Sequence, residues 1–215
     1  MKGINGMKRQ ELQPEGNYYD KYHTKNKIEQ WLMKRFFRTC EAVLDEMEWG
    51  KTGLHGIAGK GSVLEAGCGE GEFTKFLYKK YGKSASLEAF DISRSCVAKA
   101  QKKCLGVSFH VGSIYEIPKG RSYDLVVASE VLEHMDDPAL AVQSLLNVCQ
   151  GYLFLTVPNE PLWRILNMAR GKYLGRLGNT PGHVQHWNKR SFQKLVLERG
   201  GVKQRLLKLH RLVPG

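Results

Sequence analysis

A chain of 215 residues with 42% hydrophobic content is long enough to bury one sizeable core, which excludes a disordered or fibrous protein. No apolar run approaches the length of a membrane span, Met1 to Gln10 lack a secretory signal core, and the five cysteines include no C-x-x-C pair, so reduced thiols and a cytoplasmic location are expected. The net charge of +12 is unevenly placed: residues 160–215 carry 12 basic and 2 acidic side chains, against 10 and 11 over residues 61–159. Such an excess fits an anionic substrate or surface for the last quarter, and it fits equally a solvated basic face that only aids solubility.

In chain order, residues 1–16 read as disordered, and Asn17-Tyr-Tyr-Asp-Lys-Tyr-His23 is a tyrosine-rich segment ahead of the first helix. Residues 24–48 place Ile28, Trp31, Leu32, Phe36, Val43, Leu44 and Met47 at helical spacing. Gly50 to Gly61 is a glycine-rich linker. Strands are then predicted near 62–66, 86–91, 107–111, 123–129 and 151–157, alternating with helices near 71–81, 94–104 and 138–148. That alternation predicts an α/β fold, a doubly wound and mostly parallel sheet with right-handed crossovers. The chain divides accordingly into residues 1–60 (tail, lid and helix) and residues 61–215, whose basic substrate side spans 160–190. Beyond Pro158, an inserted helix is predicted over 161–170, with Leu162, Ile165, Leu166 and Ala169 on one face. A helix near 189–199 and a last strand near 202–209 follow.

The stretch Ser62-Val-Leu-Glu-Ala-Gly-Cys-Gly-Glu-Gly-Glu-Phe-Thr74 carries the chemistry. A short apolar strand runs into a turn with glycines at 67, 69 and 71, and the turn opens a helix whose first N–H groups are unpaired. A dinucleotide fingerprint would space its glycines G-x-G-x-x-G to seat a pyrophosphate. Here the third glycine comes one residue early, and Glu65 lies where a pyrophosphate would meet a carboxylate. A cationic ligand fits better. Asp91, at the end of the next strand, is placed to accept hydrogen bonds from two ribose hydroxyls. A ribose nucleoside that carries positive charge and no phosphate is S-adenosylmethionine.

With these come Val-Gly-Ser-Ile114, Tyr-Asp-Leu-Val-Val-Ala-Ser129, Glu-Val-Leu-Glu-His-Met-Asp-Asp-Pro138 and Leu-Thr-Val-Pro-Asn159, in order after successive strands. In this series the chain resembles the class I S-adenosylmethionine-dependent methyltransferases, of the bacterial type 11 and 12 kind, over most of residues 60–200. The resemblance implies that Glu65 binds the methionine ammonium, that Gly67, Gly69 and Gly71 pass under the cofactor, and that Asp91 holds the ribose. It places Ile92 against the adenine, Ser113 and Ile114 at the adenine edge, and the Ser129 carbonyl near the ammonium. Ser113 stands where the family often has an acidic residue. The tyrosines at 18, 19 and 22 would serve as a lid or as packing. The family usually adds a seventh strand, for which this chain leaves no ordinary length.

The methyl donor is already activated, so methyl transfer asks the protein for in-line positioning, desolvation and a base. Glu130, Glu133 and His134, at i, i+3 and i+4, are expected on one helical face, and Gly182-His-Val-Gln-His-Trp187 adds His183 and His186. This pattern is similar to ubiquinone-pathway O-methyltransferases and to the metal-binding constellation of small-RNA 2′-O-methyltransferases. The latter would make Glu130, Glu133, His134 and His183 ligands of a divalent ion. The reading adopted takes His134 and His183 as pocket or proton-accepting residues and assigns no metal. The expected function is O-methylation of a small anionic or lipid-linked metabolite. RNA methylation competes with it, but no stacking platform or RNA-binding module is visible. So does a non-catalytic partner at anionic lipid, with the helix 161–170 on the membrane surface. The sequence assigns neither the acceptor nor an oligomeric state.

Overall fold

The computed structural model describes residues 26–47, 61–158 and 184–199, together with Met168 and Gly175. The tyrosine-rich segment, the linker, the helix expected at 161–170, His183 and the strand expected at 202–209 lie outside the described residues.

Helix α1 spans Lys27–Glu46 and starts where the Asn26 side chain accepts from the N–H of Ile28. Strand β1 (Gly61–Ala66) leads through the glycine turn into α2 (Glu72–Tyr81), and β2 (Ala85–Asp91) leads into α3 (Arg94–Lys103), which is capped by the Ser93 hydroxyl. Strand β3 (Ser108–Val111) connects to β4 (Tyr123–Ser129) through only a 3-10 turn at Ile114–Glu116. After a second 3-10 turn, Leu132–His134, come α4 (Pro138–Val148), with Asp137 as its N-cap and proline in the first turn, and β5 (Cys149–Thr156). The last helix among the described residues is α5 (Lys189–Lys194), opened by a reciprocal Asn188–Ser191 cap and continuing as a π-helical turn over Leu195–Arg199. The predicted helix at 189–199 is thus present with its second half widened.

The five strands run parallel in the order β3-β2-β1-β4-β5. Apolar side chains on both faces of β1, β4 and β2 each need a helical layer, because a parallel sheet has no solvated face to spare. On one face Phe36, Cys40, Val43 and Leu44 of α1 and Phe73, Leu77 and Tyr81 of α2 pack over Val63, Leu125, Val127 and Phe154. On the other, Val142, Leu145 and Val148 of α4 and Phe192 and Val196 of the last helical segment pack over Leu64, Val126 and Ala128. The β3–β4 connection is too short for a covering helix. Near it the β2 side chain Glu88 is met by Arg121 (2.9 Å), Tyr123 (2.9 Å) and His110 (3.1 Å). The strand order reverses at β1 and β4, so the carboxyl ends of these strands open a crevice at the switch point, where α/β sheets of this kind bind ligands.

Candidate cofactor and acceptor site

The glycine turn is fixed to the end of β2. The N–H groups of Gly67 and Cys68 both donate to the Phe90 carbonyl, at 2.8 and 3.0 Å. Asp91 completes the connection: its Oδ2 accepts from the Gly69 N–H at 2.9 Å and its Oδ1 from the Ser93 N–H at 2.8 Å. Each carboxylate oxygen keeps a further lone pair, so the group is locked in orientation while still able to accept from a pair of vicinal hydroxyls. Asp91 therefore braces the loop and retains acceptor capacity for the ribose contact expected of it.

The three glycines, all expected to pass under the cofactor, differ in what a side chain would meet. All have positive φ, at 75°, 51° and 86°. A Cβ on Gly67 would stand 2.5 Å from Val131 Cγ2, and one on Gly71 would stand 2.9 Å from Ala100 Cβ. Those two glycines admit neighbouring protein: the turn after β4 in one case, α3 in the other. A Cβ on Gly69 would meet nothing among the described residues within 4 Å. Gly69 is the one of the three whose Cβ side is open among the described residues.

Glu65 pairs in register with Ala89 of β2 and Val127 of β4, at the centre of the sheet. It is only 2% exposed, and among the described residues its Oε2 has no hydrogen-bond partner. Burial pushes its carboxyl up to about 8, the Thr74 hydroxyl opposes this, and the nearby Asp91 charge adds to it. A buried carboxyl lacking a partner is expensive unless something cationic or donor-rich completes it. The methionyl ammonium of S-adenosylmethionine is such a group, so the residues present fit this cofactor.

Around the adenine end, Ile92 is 57% exposed beside Asp91. Ser113 accepts from the Tyr115 N–H at 3.2 Å and so caps the 3-10 turn, while the Ile114 side chain packs into the core. Any adenine contact at residue 114 falls to its backbone.

At the end of β4 the structure differs from the helical face expected for Glu130, Glu133 and His134. Glu130 has φ 57°, the one positive φ at a non-glycine among the described residues, and only Leu132–His134 forms a helical turn, of the tight 3-10 kind. The i, i+3, i+4 argument required a continuous α-helix. The left-handed residue breaks it: His134 is exposed, whereas the Glu133 side chain is buried. Glu130 is held by its N–H, which donates to the Thr156 carbonyl (3.0 Å) and Oγ1 (3.1 Å), and Thr156 Oγ1 also meets Ser129 Oγ at 2.9 Å. The Glu133 carbonyl accepts from the N–H groups of Val184 (2.9 Å) and Gln185 (3.1 Å), and Gln185 Nε2 donates to the Met135 carbonyl at 3.3 Å. The segment that follows His183 is therefore tied to the turn bearing His134. Trp187 is buried against Phe192, ring centroids 5.5 Å apart, and anchors that segment, while His186 is exposed. Among the described residues no three His, Cys, Asp or Glu side chains converge as a metal site.

Two polar residues escaped the sequence reading. Thr74 is 1% exposed with no partner for Oγ1 among the described residues, and Thr156 is 1% exposed at the hub of the β4–β5 edge. Thr74 was discoverable: three residues after Gly71, in the first turn of α2, its side chain leans back toward the strand that carries Glu65.

The strand order, the glycine turn braced by Asp91 and the buried carboxyl of Glu65 are those expected of an S-adenosylmethionine-dependent methyltransferase domain. Residues 28–201 match the methyltransferase domain family, and the chain belongs to that family. Malonyl-[acyl-carrier protein] O-methyltransferase of Priestia megaterium is 32% identical over 103 residues, covering 46% of this chain and 37% of that protein. Trans-aconitate 2-methyltransferase of Methylobacterium nodulans is 26% identical over 121 residues, covering 54% and 46%. The chain spans less than half the length of these curated relatives. The fold is similar to plantazolicin methyltransferase BpumL, solved with a monoazolic desmethylPZN analog and SAH, at TM-score 0.62 and 17% identity over 80% of this chain and 68% of that one. YcgJ of Bacillus subtilis superposes at TM-score 0.54 with 18% identity over 74% and 68%.

Proposed function

We propose that the chain methylates an oxygen of a small anionic acceptor, with S-adenosylmethionine seated by Glu65, Gly69 and Asp91 and the acceptor approaching over the His134 turn. What supports this reading is the exposed His134 imidazole on the 3-10 turn that follows β4, a turn tied to the N–H groups of Val184 and Gln185 at the strand end of the crevice in which we place the cofactor. S-adenosylmethionine supplies a sulfonium methyl already activated for displacement, so the protein's contribution is alignment, exclusion of water and management of one proton. With a hydroxyl acceptor, His134 takes that proton. With a carboxylate acceptor no base is needed, and the imidazole N–H of His134 aligns the anion. Malonyl and aconitate, named in two relatives, both bear carboxylates, and the basic excess of residues 160–215 favours the same charge. Among the described residues no helix is long and apolar enough to cross a membrane, and the five cysteines are free thiols, which supports a cytoplasmic enzyme.

The test is transfer of radiolabelled methyl from S-adenosylmethionine to carboxylate and hydroxyl acceptors. A carboxylate product is a methyl ester that mild base cleaves to methanol; a hydroxyl product is an ether that survives. Turnover of anionic acceptors that falls with salt while cofactor affinity holds supports the proposal. Transfer confined to neutral or cationic amine acceptors would overturn it.

A further inference from the structure

Buried polar side chains are nearly always partnered, yet two meet at the methionyl end of the candidate cofactor site without a geometrically sound hydrogen bond. Glu65 Oε2 and Thr74 Oγ1 both lack one among the described residues, and the two side chains are 2% and 1% exposed. Among the described residues, the groups recorded around Glu65 are apolar, acidic or weakly acidic thiols. Ala89 and Val127 flank it in the sheet, and Phe36 and Cys40 of α1 and Phe73 of α2 lie in the same layer. Asp91 at the end of β2, Cys68 in the turn and Cys104 after α3 are titratable groups coupled to it, and none of the three supplies a positive charge. An ionised Glu65 in that setting is disfavoured by burial and by Asp91 together.

We propose that Glu65 and Thr74 form a proton-exchanging pair in cofactor recognition: the empty site keeps a proton on Glu65, and arrival of the methionyl ammonium releases it. The inference rests on the assignment of Glu65 to the ammonium and extends it to a residue and a linkage not otherwise implied. The balance is simple. The neutral carboxyl loses H⁺ to solvent, the resulting carboxylate pairs with the ammonium, and no bond to carbon is made or broken. Thr74 is a positioning residue: its hydroxyl, as a donor, favours the ionised carboxylate over the neutral acid and fixes its orientation. Binding is then linked to pH through ordinary proton linkage. Below neutrality, the affinity for any ligand with the amino-acid end rises up to tenfold per pH unit, whereas a ligand lacking that end binds independently of pH.

The experiment is calorimetry of S-adenosylhomocysteine and 5′-methylthioadenosine binding to the full chain at pH 6.5, in phosphate and in Tris. These buffers differ in ionisation enthalpy. The expected result is a heat difference for S-adenosylhomocysteine that corresponds to release of close to one proton, and none for 5′-methylthioadenosine. Glu65→Gln should abolish the difference. Thr74→Val should weaken S-adenosylhomocysteine about tenfold and move its affinity-against-pH midpoint upward, and Thr74→Ser should restore both. Equal heats in the two buffers with tight binding overturn the proton exchange and leave the cofactor site standing. Equal midpoints for Thr74→Val and the native chain overturn the part given to Thr74. Failure of both ligands to bind overturns the site itself and the inference with it.

Discussion

Replacing each loop glycine by alanine separates the part of the turn that holds the fold from the part that meets the cofactor. All three positions have positive φ, so a Cβ costs about 1–2 kcal/mol of left-handed strain at each. At Gly69 nothing is added, because a Cβ would meet no described atom within 4 Å. At Gly71 the Cβ would sit 2.9 Å from Ala100 Cβ and 3.0 Å from its Cα. Backbone cannot swing aside as a side chain can, and overpacking of this kind adds about 1–3 kcal/mol. At roughly 2–4 °C per kcal/mol for a chain of this size, Gly69→Ala should lower the melting temperature by about 2–8 °C and Gly71→Ala by about 4–20 °C. Cofactor affinity should follow the opposite order. Gly69→Ala keeps the N–H that Asp91 accepts but fills the open side, and should bind S-adenosylhomocysteine at least about tenfold more weakly, the equivalent of 1.4 kcal/mol. Thermal melts of the free proteins and calorimetry at a temperature where all remain folded give both numbers. Native affinity in Gly69→Ala would refute the division of roles.

Three further outcomes follow from the site. His134→Ala should lower turnover of a hydroxyl acceptor about 100-fold or more, the worth of a positioned base, and turnover should survive EDTA; loss on chelation with recovery in Mg²⁺ or Mn²⁺ would show a metal-dependent reaction instead. Glu130→Gly should change stability by no more than about 1 kcal/mol in denaturant melts, since glycine relieves the left-handed residue and its N–H keeps both Thr156 bonds while the Thr156 hydroxyl loses the Glu130 carboxylate at 3.4 Å, and acceptor turnover should fall. Glu65 retains in the folded free protein a proton that the unfolded chain sheds near 4.5. Its contribution to stability is therefore complete below that pH and is lost as pH rises toward about 8, and Glu65→Gln should remove that part of the pH slope.

The sheet was legible because each strand is an apolar run closed by its own turn chemistry. The expected helices left none between the third and fourth strands, as observed, whereas the 3-2-1-4-5 order comes from the structure alone. Spacing could not reveal the backbone at Glu130. A helical reading of Glu130 to His134 assumes continuous αR geometry, whereas the Thr156 bonds from a strand 26 residues later hold Glu130 left-handed. The division of labour among the glycines was hidden for the same reason: Val131 and Ala100, which require Gly67 and Gly71, are distant in sequence. Thr74 and Thr156 are ordinary residues in the chain and become informative only when burial shows what their hydroxyls lack or hold.

Where the cofactor sits decides every role assigned to Glu65, Gly69 and Asp91, and a crystal structure with S-adenosylhomocysteine shows it. The predicted result has both ribose hydroxyls on the Asp91 carboxylate, the nucleoside passing the open side of Gly69, and the ammonium at Glu65, directly or through one water. A ligand bound elsewhere, or one whose amino-acid end points away from Glu65, would contradict it.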